Sequence, residues 1–255
     1  MPGRRAGRFA ALAACLLAAA ATTTAARADL PAACIGPIVD ASYDAPTGRY
    51  PHGALGDDLE WGRLKVRIAG QPPCSWPYAD LVAVLPETRV FEDTEPRLAD
   101  LDGDGAPEVI VVESHRDLGA RLAIWGLRRG ALDRIAATPA IGTRFRWLAP
   151  LGAADLDGDG RAEIAYVDRP HLARTLRIVR LQGSRLRPVA EAYGHTNHRI
   201  GDTTISGGIR DCGTGPEIIT ASPDWSDVQA SRLSGGTLRT QVLDAGDLSA
   251  AMECR

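Results

Sequence analysis

The sequence predicts an all-β fold, on three observations. Short apolar runs rich in β-branched residues recur along the chain, and turns rich in Gly, Pro or Ser separate them. An acidic pattern repeats, since Asp100 and Asp155 are 55 residues apart and so are Glu108 and Glu163. No long amphipathic helical pattern competes with the strands beyond residue 28.

Four modules follow one another in the sequence, near residues 50–95, 96–140, 144–192 and 200–245. Each is predicted to hold a first strand, an acidic or degenerate turn, a strand of the "EVIVV" type and a hairpin. The predicted hairpins are "YADLVAVLPETRVFE", "ARLAIWGLRRGALDRI", "RTLRIVRLQGSRLRPV" and "VQASRLSGGTLRTQV". Four antiparallel strands in about 45–55 residues is the size of a propeller blade. The sequence therefore predicts a single domain over residues 29–255, a small β-propeller of about four four-stranded blades, with a β-sandwich as the alternative.

Residues 1–28 have the features of a cleaved signal peptide. Three arginines fall within the first eight residues, an apolar run follows over residues 9–21, and Ala26–Ala28 has the small-x-small cleavage pattern. Thirteen apolar residues are too few for a membrane span, and no later run is longer. We therefore expect a periplasmic or secreted protein, with lipidation at Cys15 as the second interpretation.

The charge balance argues against nucleic acid as a partner. The sequence has 29 Lys and Arg against 32 Asp and Glu, and residues 1–28 contain four of the arginines and no acid. The remaining chain therefore has 25 basic and 32 acidic residues, a formal charge of −7. Phosphate binding needs a surplus of positive charge, whereas a surplus of acids suits a protein that binds cations.

Four cysteines remain after residue 28: Cys34, Cys74, Cys212 and Cys254. An even number in an exported chain predicts two disulfides, for which three pairings are possible. A bond between Cys34 and Cys254 would tie the two ends of the domain together.

Two acidic turns have the composition of a calcium site. Counted from Asp100, acids stand at positions 1, 3, 5 and 9, a glycine stands at position 6, and the backbone carbonyl of position 7 is available as a further ligand. Calcium prefers six to eight hard oxygen ligands. The predicted ligands are Asp100, Asp102, Asp104, Ala106 and Glu108 in the first turn, and Asp155, Asp157, Asp159, Arg161 and Glu163 in the second.

Electrostatics favours a bound cation over an ordinary hairpin turn. Two carboxylates about 4 Å apart repel by roughly 4 kcal/mol at an effective dielectric constant of 20. A hairpin turn needs one Asp-Gly pair and none of the other acids. We therefore expect two calcium ions, one in each turn.

The turns are not EF-hands, because position 12 is Val111 in one and Tyr166 in the other, where an EF-hand has a bidentate glutamate. "DLDGDGAPEVIVV" and "DLDGDGRAEIAYV" resemble instead the calcium loops of FG-GAP or VCBS repeats, as found in the β-propeller of integrin α subunits. The resemblance implies that each loop lies between two strands of a blade and binds one calcium ion through its four acids.

The outer modules keep only remnants of the acidic pattern. The fourth has Asp211 and Glu217, the latter 54 residues after Glu163. The first has Asp57, Asp58 and Glu60. The resemblance is silent for these two modules, and we predict two calcium ions in the chain and not four.

One segment outside the module pattern is a candidate catalytic or metal-binding loop. It brings His195, His198 and Asp202 together in sequence, as metal ligands or as an acid–base pair with a third partner. The alternative, which we favour, is a polar loop whose side chains hydrogen-bond to backbone groups. No complete catalytic signature accompanies these histidines.

Two function classes follow from the sequence. The first, which we favour, is an exported, non-catalytic binding or adhesion module with structural calcium and an extracellular protein or glycan as its ligand. The second is a small secreted propeller enzyme, a hydrolase or lyase acting on a polysaccharide through the His195 and His198 loop.

Overall fold

The computed structural model describes residues 24–26 and 30–254, and strands dominate them. The helical segments among these residues are a 3-10 turn, Ala32–Cys34, and a short α-helix, Leu248–Met252 (α1). The all-β prediction is confirmed. The predicted signal peptide, residues 1–28, lies outside the described residues except for Thr24–Ala26, so Cys15 is not described.

The strands form four consecutive modules. One further short strand, β5, connects the first module to the second. Module 1 contains β2 (Ile35–Thr47), β3 (Glu60–Gly70) and β4 (Tyr78–Val84), with β1 (Thr24–Ala26) paired to β4. The connecting strand β5 is Arg89–Phe91. Module 2 contains β6 (Arg97–Ala99), β7 (Glu108–His115), β8 (Gly119–Arg128) and β9 (Ala131–Ala137). Module 3 contains β10 (Leu148–Ala154), β11 (Glu163–Asp168), β12 (Thr175–Gln182) and β13 (Arg185–Tyr193). Module 4 contains β14 (Gly208–Asp211), β15 (Pro216–Ala221), β16 (Val228–Ser234) and β17 (Thr237–Leu243).

Modules 2, 3 and 4 are antiparallel meanders in which each strand pairs with the next one along the chain. Modules 3 and 4 each form a separate four-stranded sheet, whereas modules 1 and 2 share a nine-stranded sheet. The described strands thus fall into three sheets, where the β-sandwich alternative expected two.

The hairpin predicted in module 1 is wrong. Strands β4 and β5 do not pair with each other, although a turn separates them in sequence. Instead β4 pairs with β3. Strand β5 pairs with the same edge of β3, beyond the end of β4, where Phe91 lies opposite Trp61. The other edge of β5 pairs with the end of β7, where Phe91 lies opposite Glu113. This short strand therefore joins two modules instead of completing one.

Apolar side chains on both faces of the second strands hold neighbouring modules together. Along β7, Val109 and Val111 pack in a cluster with module 1, while Ile110 and Val112 pack in a cluster with module 3. Strand β11 alternates in the same way between modules 2 and 4. Because successive side chains of a strand point to opposite faces, a continuous apolar run such as "VIVV" indicates a strand that is buried on both sides.

The two ends of the stack are covered differently. On the outer face of module 1, Lys65 and Arg67 form ion pairs with Asp80 at 2.8 and 3.2 Å. On the outer face of module 4, helix α1 packs on the apolar side chains of β15 and β16. Modules 4 and 1 meet through loops, where the backbone N–H of Gly201 donates to the backbone oxygen of Ala54 at 3.0 Å and where Leu55 and Ile205 pack against the same cluster.

Two disulfides fix the ends of the fold locally. Cys34 pairs with Cys74, and Cys212 pairs with Cys254. Neither bond ties one end of the domain to the other. The first fastens the 3-10 turn to the loop after β3, and the second fastens the segment after α1 to the turn between β14 and β15. Disulfides of this kind are typical of proteins in oxidising compartments.

The helices in the described part of the chain are all too short or too polar to cross a lipid bilayer.

We expect replacement of both Cys212 and Cys254 by Ala to lower the free energy of unfolding by about 2–4 kcal/mol, because the bond restricts the unfolded chain and holds α1 on module 4. Denaturant unfolding without reductant would measure the loss. The matched control replaces Cys34 and Cys74 by Ala. Their bond joins residues 40 positions apart in the sequence, and the bond from Cys212 to Cys254 joins residues 42 positions apart. An unchanged free energy of unfolding in both double variants would contradict this account.

Candidate metal centre

The first acidic turn joins β6 to β7 and is closed by its own carboxylates. Asp100 accepts hydrogen bonds from the backbone N–H groups of Gly103 at 2.8 Å and Gly105 at 2.9 Å. Both glycines have positive φ, 80° and 85°, which a side chain would strain. The backbone therefore wraps around Asp100, and this turn shape depends on glycine at both positions.

Three carboxylates of this turn converge. Asp100, Asp102 and Glu108 each offer an oxygen, and these oxygens all lie within 4.8 Å of one another. Glu108 is buried and accepts a hydrogen bond from the backbone N–H of Leu101 at 3.0 Å. Burial raises the pKa of Glu108 to about 7, and the nearby charges of Asp102 and Asp104 add to the rise.

No positive side chain offsets this charge in the described residues. None of the four acids of the first turn has an ion pair with a described Lys, Arg or His. Oxygens bound to one calcium ion at about 2.4 Å lie at most about 4.8 Å apart, so the three carboxylates fit around a single ion. The first turn therefore has both the spacing and the excess of negative charge that a divalent cation needs.

The second acidic turn repeats this backbone geometry between β10 and β11. Asp155, Asp157 and Glu163 offer oxygens within 4.8 Å of one another. Asp155 accepts from the backbone N–H groups of Gly158 at 2.8 Å and Gly160 at 2.9 Å. The period of 55 residues thus corresponds to a repeated structure.

The second turn differs from the first in one side chain, Arg180 of β12. Its Nη1 lies 2.7 Å from Oδ2 of Asp159, and its Nη2 lies 3.0 Å from Oδ2 of Asp157. The same guanidinium also donates to Oε1 of Glu163. Only 11% of the Arg180 side chain is exposed. An internal cation is therefore already in contact with three of the four acids.

Four predicted ligands lie outside the two three-carboxylate groups. Asp104 and Asp159 each accept a hydrogen bond at Oδ1 from the backbone N–H two residues on, at 2.8 Å from Ala106 and 3.0 Å from Arg161. The backbone carbonyls of Ala106 and Arg161 stay predictions as ligands.

In module 4, arginines surround the residue that corresponds to Glu108 and Glu163. Glu217 is buried, and its Oε1 lies 2.6 Å from Nη2 of Arg210. Its Oε2 lies 2.9 Å from Nη2 of Arg232. This buried carboxylate therefore has two positive partners.

In module 1, the corresponding residue is Glu60, at the start of β3, and it forms no ion pair with any Lys, Arg or His that the structure describes. Glu60 is buried, and its Oε2 has no hydrogen-bond partner. Burial raises the pKa of Glu60 to about 10, and the nearby carboxylates, Glu92 first, add to the rise. This glutamate is therefore protonated at neutral pH.

Sequence reasoning missed the cluster around Glu60. Glu92 is fully buried, and it accepts hydrogen bonds from Ser114 and pairs with His52. Glu92 comes from the connection after β5, so no repeat signal marks it. The one available signal was an acid directly after the short apolar pair "VF" in "RVFED".

The candidate catalytic loop does not bring its histidines together. His195 is buried, and its ring nitrogens lie 2.8 Å from Oγ1 of Thr220 and 3.4 Å from Oγ1 of Thr240. His198 is also buried, with its Nε2 at 2.9 Å from the backbone oxygen of Asp202. Asp202 thus contacts His198 through its backbone oxygen and not through its carboxylate.

The second ring nitrogen of His198 completes a hydrogen-bonded network. Its Nδ1 lies 3.0 Å from Nε2 of His171. In the same loop Thr196 donates to the backbone oxygen of Pro170 at 2.9 Å, and Asn197 donates to that of Ala149 at 3.3 Å. These contacts agree with the polar-loop interpretation, in which side chains satisfy backbone groups.

A cleft of about 600 Å³ lies between modules 2 and 3. Its apolar wall includes Ile141, Tyr166 and Ile178, and the Asp168–Arg177 ion pair, at 3.0 Å, lies at its edge. This volume is within the range of small-molecule sites, about 300–1,000 Å³. The sequence did not indicate the cleft, because its residues come from separate strands.

We expect Glu60→Gln to raise the melting temperature at pH 8 by at least about 2–4 °C, the shift that corresponds to about 1 kcal/mol. Because the pKa of Glu60 is raised in the folded state, folding takes up a proton at neutral pH. The wild-type free energy of unfolding should therefore be unaffected by this proton below about pH 4.5 and should fall as the pH rises towards 10. The gain should therefore disappear near pH 4.5. Thermal melts across this range would test it.

The matched control is Glu217→Gln, which removes a carboxylate that two arginines pair. This variant should lower the melting temperature at pH 8, because it leaves the mostly buried guanidinium of Arg210 without its charged partner. A lower melting temperature for Glu60→Gln at pH 8 would contradict the protonated state of Glu60.

Comparison with known proteins identifies part of the chain. Residues 100–166 match the model of the FG-GAP-like repeat family. The match begins at the first acid of the first turn and extends past Glu163, so it covers both acidic turns and the strands between them. No curated protein matches the chain. Residues 100–166 thus contain an FG-GAP-like repeat.

Proposed function

We propose that the chain is an exported, calcium-binding protein of β-propeller-like architecture that serves as a non-catalytic binding or adhesion module. The observation that carries the proposal is the first acidic turn. Its three converging carboxylate oxygens have no described positive partner, and one of them belongs to a buried glutamate. FG-GAP-like repeats are the context in which such a turn is expected to take calcium.

Asp100, Asp102 and Glu108 would hold the ion of the first turn, with Asp104 and the carbonyl of Ala106 as the remaining predicted ligands. The proposal extends to the second turn through Asp155, Asp157, Asp159, Glu163 and the carbonyl of Arg161. The carboxylate spacing supports two sites, and Arg180 makes the second turn the weaker candidate.

The proposed role of calcium is structural. The first turn links β6 to β7, and Glu108 lies at the buried start of β7. An ion held between this glutamate and the exposed aspartates would fasten the turn to the core. Extracellular modules bind calcium with dissociation constants of about 10⁻⁴–10⁻³ M, and a tenfold excess then contributes about 1.4 kcal/mol.

Three observations support the rest of the proposal. The two disulfides fit an exported protein. The four modules pack in chain order through both faces of their strands, as blades do. The cleft between modules 2 and 3 is large enough for a small ligand or for part of a protein or glycan.

We expect calcium to raise the melting temperature of the chelator-treated protein by about 3–6 °C at tenfold excess, which is what about 1.4 kcal/mol gives for a chain of this size. Asp102→Ala should remove most of this shift, because it deletes one of the three converging carboxylates. Thermal melts with calcium and with chelator would measure it.

Asp133→Ala is the control, since Asp133 is an exposed acid of module 2 outside the turn. It removes the same charge, so its calcium-dependent shift should equal that of the wild type. If calcium moves neither the wild type nor Asp133→Ala, the chain does not bind calcium with a structural effect.

The alternative, a polysaccharide hydrolase or lyase that uses His195 and His198, has less support. Burial lowers the pKa of His195 to about 4, and both of its ring nitrogens face threonine hydroxyls. A general base needs access to its substrate. These contacts suit a neutral structural histidine.

We expect His195→Ala to lower the free energy of unfolding by about 2–3 kcal/mol, because it leaves the buried hydroxyl of Thr220 without its partner and removes a buried ring. The lowered pKa means that the stability His195 provides is present above about pH 6.5 and is lost as the pH falls towards 4. The variant should therefore unfold with a weaker dependence on acid. Denaturant melts at pH 4–7, with His115→Ala as the control, would measure both effects.

An enzyme would behave differently. If His195→Ala retained its wild-type stability and lost turnover of a polysaccharide, the catalytic alternative would replace the binding module.

A further inference from the structure

The residue opposite the buried glutamate differs between the modules. In module 3, Glu163 of β11 pairs directly with Arg180 of β12. In module 2, the pair of Val109 with Trp125 places Gly126 opposite Glu108, and a Cβ built on Gly126 would lie 3.3 Å from Cγ of Glu108. The same strand position is thus glycine beside the first acidic turn and arginine beside the second.

Module 4 shows what arginine does at this position when Asp211 is the one aspartate left in the turn. The pair of Ile218 with Ser231 places Arg232 opposite Glu217, and the two side chains form an ion pair at 2.9 Å. Arg232 also donates to the backbone oxygen of Thr214 at 2.7 Å, in the turn itself. Arginine at this position therefore neutralises the buried glutamate and holds the turn without a metal ion.

Arg180 occupies the oxygens that a metal ion would use in the second turn. It contacts Oδ2 of Asp157 and Oε1 of Glu163, which belong to two of the three converging carboxylates. A calcium ion at this place would have to displace a guanidinium that has three carboxylate partners and is mostly buried. Charge-assisted hydrogen bonds of this kind are among the strongest in proteins.

We propose that Arg180 is the resident cation of the second acidic turn, so that the chain binds calcium preferentially at the first turn. This inference rests on the proposed calcium function and departs from the expectation of two equal sites. Gly126 leaves the first turn without an internal cation, and its acids depend on a metal ion. The residue opposite the buried glutamate, which is Gly126 in module 2 and Arg180 in module 3, thus determines which turn takes the ion.

An NMR titration of the full chain with calcium chloride would test this for each turn separately. The amide groups of Gly105 and Gly160 donate to Asp100 and Asp155, so each amide signal reports on one turn. In the wild type, we expect the Gly105 signal to reach its midpoint at a calcium concentration at least tenfold below that of Gly160.

Arg180→Gln should lower the Gly160 midpoint at least tenfold, towards that of Gly105, and leave the Gly105 midpoint unchanged. Arg177→Gln is the matched control, because Arg177 lies on the same strand and pairs with Asp168 and Glu191 instead of the turn. It should change neither midpoint. If Arg180→Gln folds only with calcium bound, that dependence supports the inference as well.

Equal midpoints for Gly105 and Gly160 in the wild type would overturn the inference and leave calcium binding intact. A response at neither glycine up to 10 mM calcium, about ten times the weakest dissociation constant of extracellular modules, would overturn both. The wild-type comparison needs no variant, so a failure of Arg180→Gln to fold would not prevent the test.

Discussion

A buried glutamate near the start of the second strand is the constraint that all four modules share. Glu60, Glu108, Glu163 and Glu217 are each less than a tenth exposed. A buried carboxylate is costly unless its charge is removed or matched. Module 1 removes the charge with a proton, and modules 3 and 4 match it with one and two arginines. The glutamate of module 2 has no described positive partner, and the calcium ion proposed for its turn would match this charge.

The strands that begin at these glutamates also connect the modules. Strands β7 and β11 bury alternate side chains against the module before and the module after. The turn at the start of such a strand therefore sets the position of a strand that two interfaces share. Local order in an acidic turn is in this way linked to packing on both sides of its module.

The repeats could be predicted from the sequence because their signal is local. The acidic turns, the apolar strands after them and three of the four hairpins each lie within one short segment. The contacts that were missed arise from strand pairing and from residues distant in sequence. Arg180 meets Glu163 only through the register of β11 and β12, and Glu92 meets His52, which lies 40 residues earlier in the chain. The hairpin of module 1 failed because β5 has better partners in β3 and β7 than in β4.

The outer faces of modules 1 and 4 differ from the faces that lie between modules. A module with two apolar faces exposes one of them when it stands last, and such a face would bind a second copy of the chain end to end. Here the outer face of module 1 has paired charges, and α1, held by the bond from Cys212 to Cys254, covers the outer face of module 4. Neither outer face is therefore packed in the way that neighbouring modules pack on each other.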